Sequence, residues 1–193
     1  MDIKKYIQDS IDTKTKILND ENILETIKKI ADRIVEAYRL DKKVLTAGNG
    51  GSAGDAQHIA GELVSKFFFD RPGLSAFSLA TNTSILTAVS NDYGYEKSFS
   101  RQIQANAKEG DVFIGISTSG NSKNIILALE EAKKKGVITI GFVGQKECEM
   151  DKWCDYIIHV PSASTPTIQE SHIMIGHIIC ALVEEAIISA VGV

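Results

Sequence analysis

Residues 48–63 read GNGGSAGDAQHIAGEL, with His58 and Glu62 four residues apart behind a glycine-rich loop. On a helix that spacing puts both side chains on one face. Such a pair can hold a metal ion or move protons. For an isolated HxxxE a surface His–Glu contact is the plainer reading; the loop in front raises the functional one. Glycines let the backbone approach an anion closely, and a helix N-terminus offers that anion free N–H groups. The string Gly48-x-Gly50-x-x-Ala53 also fits a loose dinucleotide fingerprint. That fingerprint needs an acid at the end of the next strand. The nearest acid, Asp70, precedes the Pro72–Gly73 turn and therefore that strand. A purely structural glycine turn is the remaining alternative.

A second unusual loop is ISTSGNS (116–122), which crowds Ser117, Thr118, Ser119 and Ser122 between an apolar strand and a helix start. Hydroxyls and backbone N–H groups bind phosphate without adding charge. Ordinary N-capping by Ser119 or Ser122 would need only one of them. No GxxxxGK[ST] string occurs, so this is not a nucleotide P-loop. Near the end of the chain, IQESHIMIGHIIC (168–180) sets His177 among isoleucines, on or near a buried face. Helical periodicity pairs His177 with Glu170, about 20° away around the helix, and leaves Gln169 about 80° off. His172 points elsewhere and reads as surface or subunit interface. His159 reads as a strand-end residue without a role.

The elements that must position these residues alternate. Two amphipathic helices come first, with stripes Ile3, Ile7, Ile11, Leu18 and Ile23, Ile27, Ile30, Ile34, Tyr38. Strands are expected at 43–47, 74–80, 111–117, 136–144 and 154–160. Helices are expected at about 53–66, 82–90, 94–107, 123–135 and 166–190, the last with Pro166 in its first turn. This alternation predicts a three-layer αβα sandwich around a five-stranded parallel sheet of order 2-1-3-4-5. Strands 1 and 3 then flank the switch-point crevice where ligands bind, and their loops are GNGGS and TSGNS.

The chain has 193 residues and a net charge of −4, which argues against broad nucleic-acid or membrane binding. Three cysteines without a CxxC pair read as free thiols in a reducing cytosol. MDIKKYIQDS shows no signal-peptide core, and a cytoplasmic location is expected. The apolar stretch 173–183 is about half of the ~20 residues a membrane span needs.

The motifs GNGGS…DAQHIAGEL, VSNDYG, GISTSGNS and IQESHIMIGH, in this order and spacing, resemble those of the phosphoheptose isomerases of the sugar isomerase (SIS) superfamily. The resemblance covers nearly the whole chain. It implies one flavodoxin-like SIS domain over 1–193, with 1–40 as a helical extension and 41–193 as the α/β core. It implies a cytoplasmic homotetramer with active sites at subunit boundaries. The implied reaction turns sedoheptulose 7-phosphate into D-glycero-D-manno-heptose 7-phosphate, the first step toward the nucleotide-activated heptose of bacterial surface polysaccharides such as lipopolysaccharide.

By motif match, Ser117, Thr118, Ser119 and Ser122 would hold the phosphate. Asn49, Gly50, Gly51, Asn91, Asp92 and Gln169 would contact the sugar. Glu62 and His177 would be catalytic, and His58, Glu62, Gln169 and His177 would bind zinc. The family thus picks Gln169 where periodicity picks Glu170. Lys66 stands where the family often has arginine, keeping the charge but losing bidentate geometry. Two rivals remain: a non-enzymatic relative that binds a DNA-replication initiator, and another sugar-phosphate isomerase. The initiator-binding relatives typically lack the last histidine of the closing helix, so His177 favours the enzyme.

Overall fold

A computed structural model describes residues 2–191. Two helices lead, α1 (Ile3–Leu18) and α2 (Glu21–Arg39). Asp2 and Asp20 cap them by accepting backbone N–H groups of the first turn, as short acidic side chains do. The α/β core follows as β1 (Val44–Gly48), α3 (Gly51–Val64), β2 (Ala76–Ser78), α4 (Thr83–Tyr93), α5 (Ser100–Asn106), β3 (Val112–Ile116), α6 (Lys123–Lys134), β4 (Ile138–Val143), β5 (Tyr156–His159) and α7 (Thr165–Val191). The expected single helix over 94–107 is broken. Gly94 adopts φ +91°, a short 3-10 turn occupies Tyr95–Lys97, and the α-helix starts only at Ser100.

All strand pairs are parallel and the order is β2-β1-β3-β4-β5, as the alternation predicts. Side chains alternate across the sheet because the strand period is two. Val44, Val112, Ile114, Ile116, Ile140, Phe142 and Ile158 face a core shared with α2, α3 and α7. Leu45, Ala47, Phe113 and Val143 face the opposite core, shared with α5 and α6. Both sheet faces are therefore covered, as a parallel sheet requires.

The two leading helices bury different amounts. Six isoleucine, alanine and valine side chains of α2 are buried in the first core. On α1 only Thr13 and Ile17 are buried, and Ile3, Ile7, Ile11 and Leu18 are all at least half exposed. The apolar stripe of α1 thus lies open. Helix α4 has no buried residue at all.

By length and composition, α7 could cross a membrane over Thr165–Ser189, a longer apolar run than the sequence suggested. It packs along α2 and α3 and carries a buried ion pair. His172 departs from the sequence reading. It is fully buried, not on the surface, with its ring against Phe142. Its Nε2–H donates to the carbonyl of Val143 at 3.2 Å, while its buried Nδ1 has no partner among the described residues. Burial drives the imidazole down to about 4, offset in part by that hydrogen bond. The unfolded chain takes up this proton near 6.5, so acid favours unfolding between pH 6.5 and about 4. We expect His172→Phe to flatten the fall in melting temperature across that window. An unchanged slope would show that other groups set it.

Candidate active site

Helices α3 and α7 run side by side in the same direction, and the site is built along their seam. At one end lies the glycine loop. Gly50 there has φ +55° and ψ −121°, a conformation open to glycine and strained for other residues. Gly51 faces Gln169 so closely that a Cβ would lie 2.5 Å from its Nε2. Seven residues further along α3, about 10 Å of helix, His58 meets His177. Their Nε2 atoms are 3.3 Å apart and their rings stack edge to face. Glu62 Oε1 is 2.9 Å from His58 Nε2. All three ligand atoms lie within 4.8 Å of one another in one chain. Beyond them Gly176 lets Ile59 of α3 approach, which keeps the helices close.

Among the described residues this triad is the one group able to hold a metal ion through histidine, cysteine or carboxylate atoms. The fit is good. Two nitrogens bound at 2.0–2.1 Å to a tetrahedral centre stand about 3.3 Å apart, which is the spacing of His58 and His177. The side chain of His58 is about half exposed, so the triad opens to solvent. Glu170 does not join it; its carboxylate pairs with Lys14 of α1 at 3.0 Å, against the periodicity reading.

The second loop gathers its hydroxyls. Ser117 Oγ is 2.9 Å from Ser122 Oγ and 3.4 Å from Ser119 Oγ. Ser122 occupies the N-cap position of α6, yet its side chain makes no cap bond. Ser119 Oγ accepts from Asn121 N–H within the loop. N-capping therefore does not account for these residues, and the start of α6 is left for an anion. Thr118 and Ser119 line a cleft of about 370 Å³ with Asn121, Gly144–Glu147 and Ile168.

The two loops are bolted together by Asn49 and by two residues the sequence reading missed, Asn124 and Tyr95. Asn49 and Asn124 exchange reciprocal amide hydrogen bonds of 2.9 Å, and Tyr95 Oη donates to Asn49 Oδ1 at 2.7 Å. The Asn49 side chain thus joins β1 to α6. Asn124 was detectable, because a polar residue there interrupts an apolar stripe shared with Ala128 and Ala132. Asn91 and Asp92 lie exposed at the end of α4 and hydrogen-bond to each other at 2.9 Å. Lys66 is exposed just past α3.

Behind the triad sits a clamp, also unforeseen. Glu184 of α7 accepts the backbone N–H groups of Phe67, Phe68 and Phe69 and the Nε–H of Arg71. Arg71 in turn donates to the carbonyls of Glu62, Leu63 and Ser65 at the end of α3. Both side chains are almost fully buried. Burial works against the Glu184 charge, yet the three N–H groups and Arg71 hold its carboxyl below the usual range. The clamp sets the Phe67 ring 5.6 Å from that of His177. Asp55, one turn before His58, has a buried Oδ2 without a partner among the described residues, and burial pushes its carboxyl up to about 6 against the pull of His58.

Residues 5–144 match the SIS domain family model. The phosphoheptose isomerase of Aneurinibacillus thermoaerophilus is 63% identical over 185 residues, covering 96% of this chain and 93% of that protein. Phosphoheptose isomerase 2 of Campylobacter jejuni is 60% identical, over 95% of this chain and 91% of its own. The chain belongs to the phosphoheptose isomerase family of SIS-domain proteins. Its fold agrees with that membership. A phosphoheptose isomerase structure from Francisella tularensis superposes with a TM-score of 0.91 at 33% identity, over 95% of this chain and 96% of that one. One from Neisseria gonorrhoeae gives 0.88 at 36%, over 95% and 97%. The family pattern is thus carried by sequence and by backbone alike.

Proposed function

We propose that this chain is an aldose–ketose isomerase that converts sedoheptulose 7-phosphate to D-glycero-D-manno-heptose 7-phosphate through an enediol. The observation that carries the reading is the meeting of His58, Glu62 and His177 on the seam that begins at the glycine loop. The relatives' shared name supplies the substrate. Moving a proton between adjacent carbons needs a carboxylate base at the carbon and an acid at the oxygen where charge develops. Glu62 is the base and His177 the partner acid/base. The hydroxyls of Ser117, Thr118, Ser119 and Ser122 hold the phosphate and so fix the reacting carbons. Gln169, Gly50, Gly51 and Asn49 border the sugar at the glycine end; Asn91 and Asp92 would reach it from α4.

Zinc suits the donor set, with His58, Glu62 and His177 as ligands; Gln169, the fourth ligand the resemblance implies, sits beside Gly51 about two helical turns away and does not reach the triad within one chain. When bound, zinc would polarise the sugar oxygens. Three cysteines without disulfides fit a reducing cytoplasm. The product would feed heptose into a surface polysaccharide.

The reading includes a homotetramer. The open stripe of α1, the unburied α4, and exposed Phe68 and Phe69 beside the triad are more apolar surface than a monomer usually leaves uncovered. Light scattering at micromolar concentration is expected to report four subunits; a stable monomer would rule this part out. The function itself is tested by incubating pure protein with sedoheptulose 7-phosphate and resolving the aldose product. No aldose, with or without added zinc, would return attention to initiator binding. Against that rival stands His177, which is paired with His58 and not idle.

A further inference from the structure

The segment after β4 is fastened to the hydroxyl loop at both ends. Gly144 N–H donates to the Thr118 carbonyl at 3.1 Å, and Met150 N–H to the Gly120 carbonyl at 3.2 Å. Glu149 N–H donates to Asn121 Oδ1 at 3.0 Å. Cys148 packs so tightly on Gly120 that a Cβ there would lie 2.1 Å from its Sγ. Between these fastenings Gln145, Lys146 and Glu147 form an exposed arch. The arch lines the same cleft as Thr118, Ser119 and Asn121. Its distance from the loop is therefore set by the backbone and does not depend on the arch's own side chains.

The loop STSGNS contains no cation. Hydroxyls and N–H groups satisfy phosphate oxygens, but a phosphomonoester carries about −1.5 to −2 charges at neutral pH. Lys146 is the one cation lining the cleft, and Glu147 the one anion. Among the described residues Lys146 has no ion-pair or hydrogen-bond partner, whereas eight other lysines are spent on carboxylates, carbonyls or hydroxyls.

We infer that Lys146 is a specificity-determining residue for the phosphorylated end of the substrate, its ammonium closing the cleft over the outward phosphate oxygen. This rests on the reading that the hydroxyl loop holds the phosphate. The contact persists from bound substrate to transition state, so it acts on binding and not on the chemical step.

The test measures KM and kcat for sedoheptulose 7-phosphate at low and high ionic strength. Lys146 is exposed, so its replacement leaves the fold intact. Lys146→Met is expected to raise KM about tenfold with kcat changed less than about twofold. Its KM loses most of the salt dependence, and Lys146→Arg restores both. Lys123→Met, an exposed lysine outside the cleft lining, serves as the control for general charge. A Lys146→Met KM within about twofold of the parent, or an equal rise for Lys123→Met, would overturn the inference. Ser119→Ala run alongside separates the two layers. If it raises KM while Lys146→Met does not, the lysine fails alone. If neither raises KM, the placement of phosphate in the loop fails with it.

Discussion

Glu62→Gln is expected to lower kcat by about 10²- to 10⁴-fold, the usual share of a positioned general base. Ser119→Ala is expected to act chiefly on KM, by about tenfold or more, since one hydrogen bond to a charged group is lost. The two differ because of when each group acts. In the proposed mechanism the serine hydroxyl holds phosphate throughout the reaction, whereas the carboxylate acts only as the proton moves. Glu62 also stands 2.9 Å from His58, so it shares any metal the triad holds. Metal content measured on the same samples separates the two losses. If Glu62→Gln retains metal and still fails, the missing base is the cause. Equal loss of turnover in both variants, with binding unchanged, would break this division of labour.

The second large effect concerns the clamp. Arg71→Met or Glu184→Leu alone should cost about 3–5 kcal/mol, because each leaves a buried charge without its partner. That corresponds to a fall of roughly 10 °C in melting temperature for a chain of this size. The double variant should lose less than the sum, since neither charge is then stranded. It will not recover fully. The N–H groups of Phe67–Phe69 and the carbonyls at the end of α3 remain unpaired in it. Denaturant unfolding followed by circular dichroism measures all three. Single variants within about 1 kcal/mol of the parent would show that the pair is not what joins α3 to α7.

The sheet was legible because its signals are local. Short β-rich runs alternating with helical periodicity give β2-β1-β3-β4-β5 once connections are right-handed. The crevice loops were legible for the same reason: glycines and surplus hydroxyls stand out against ordinary turns. His58 and Glu62 share a helix face by spacing alone.

Beyond the meeting of His58, Glu62 and His177, which the family resemblance implied, the contacts made across elements were not legible in the sequence. His172 and Glu170 sit on one helix with His177, and periodicity gives their angles but not their neighbours. The neighbours proved to be the end of β4 for His172 and Lys14 of α1 for Glu170. The Asn49–Asn124 bridge spans 75 residues and the Arg71–Glu184 pair 113. Such partners are chosen by how α7 packs against α3, and no local pattern encodes that packing. The sequence by itself singled out the residues proposed to carry the chemistry; the packing of α7 along α3 decided that His58, Glu62 and His177 meet, because side chains over a hundred residues apart touch only where two helices lie against one core.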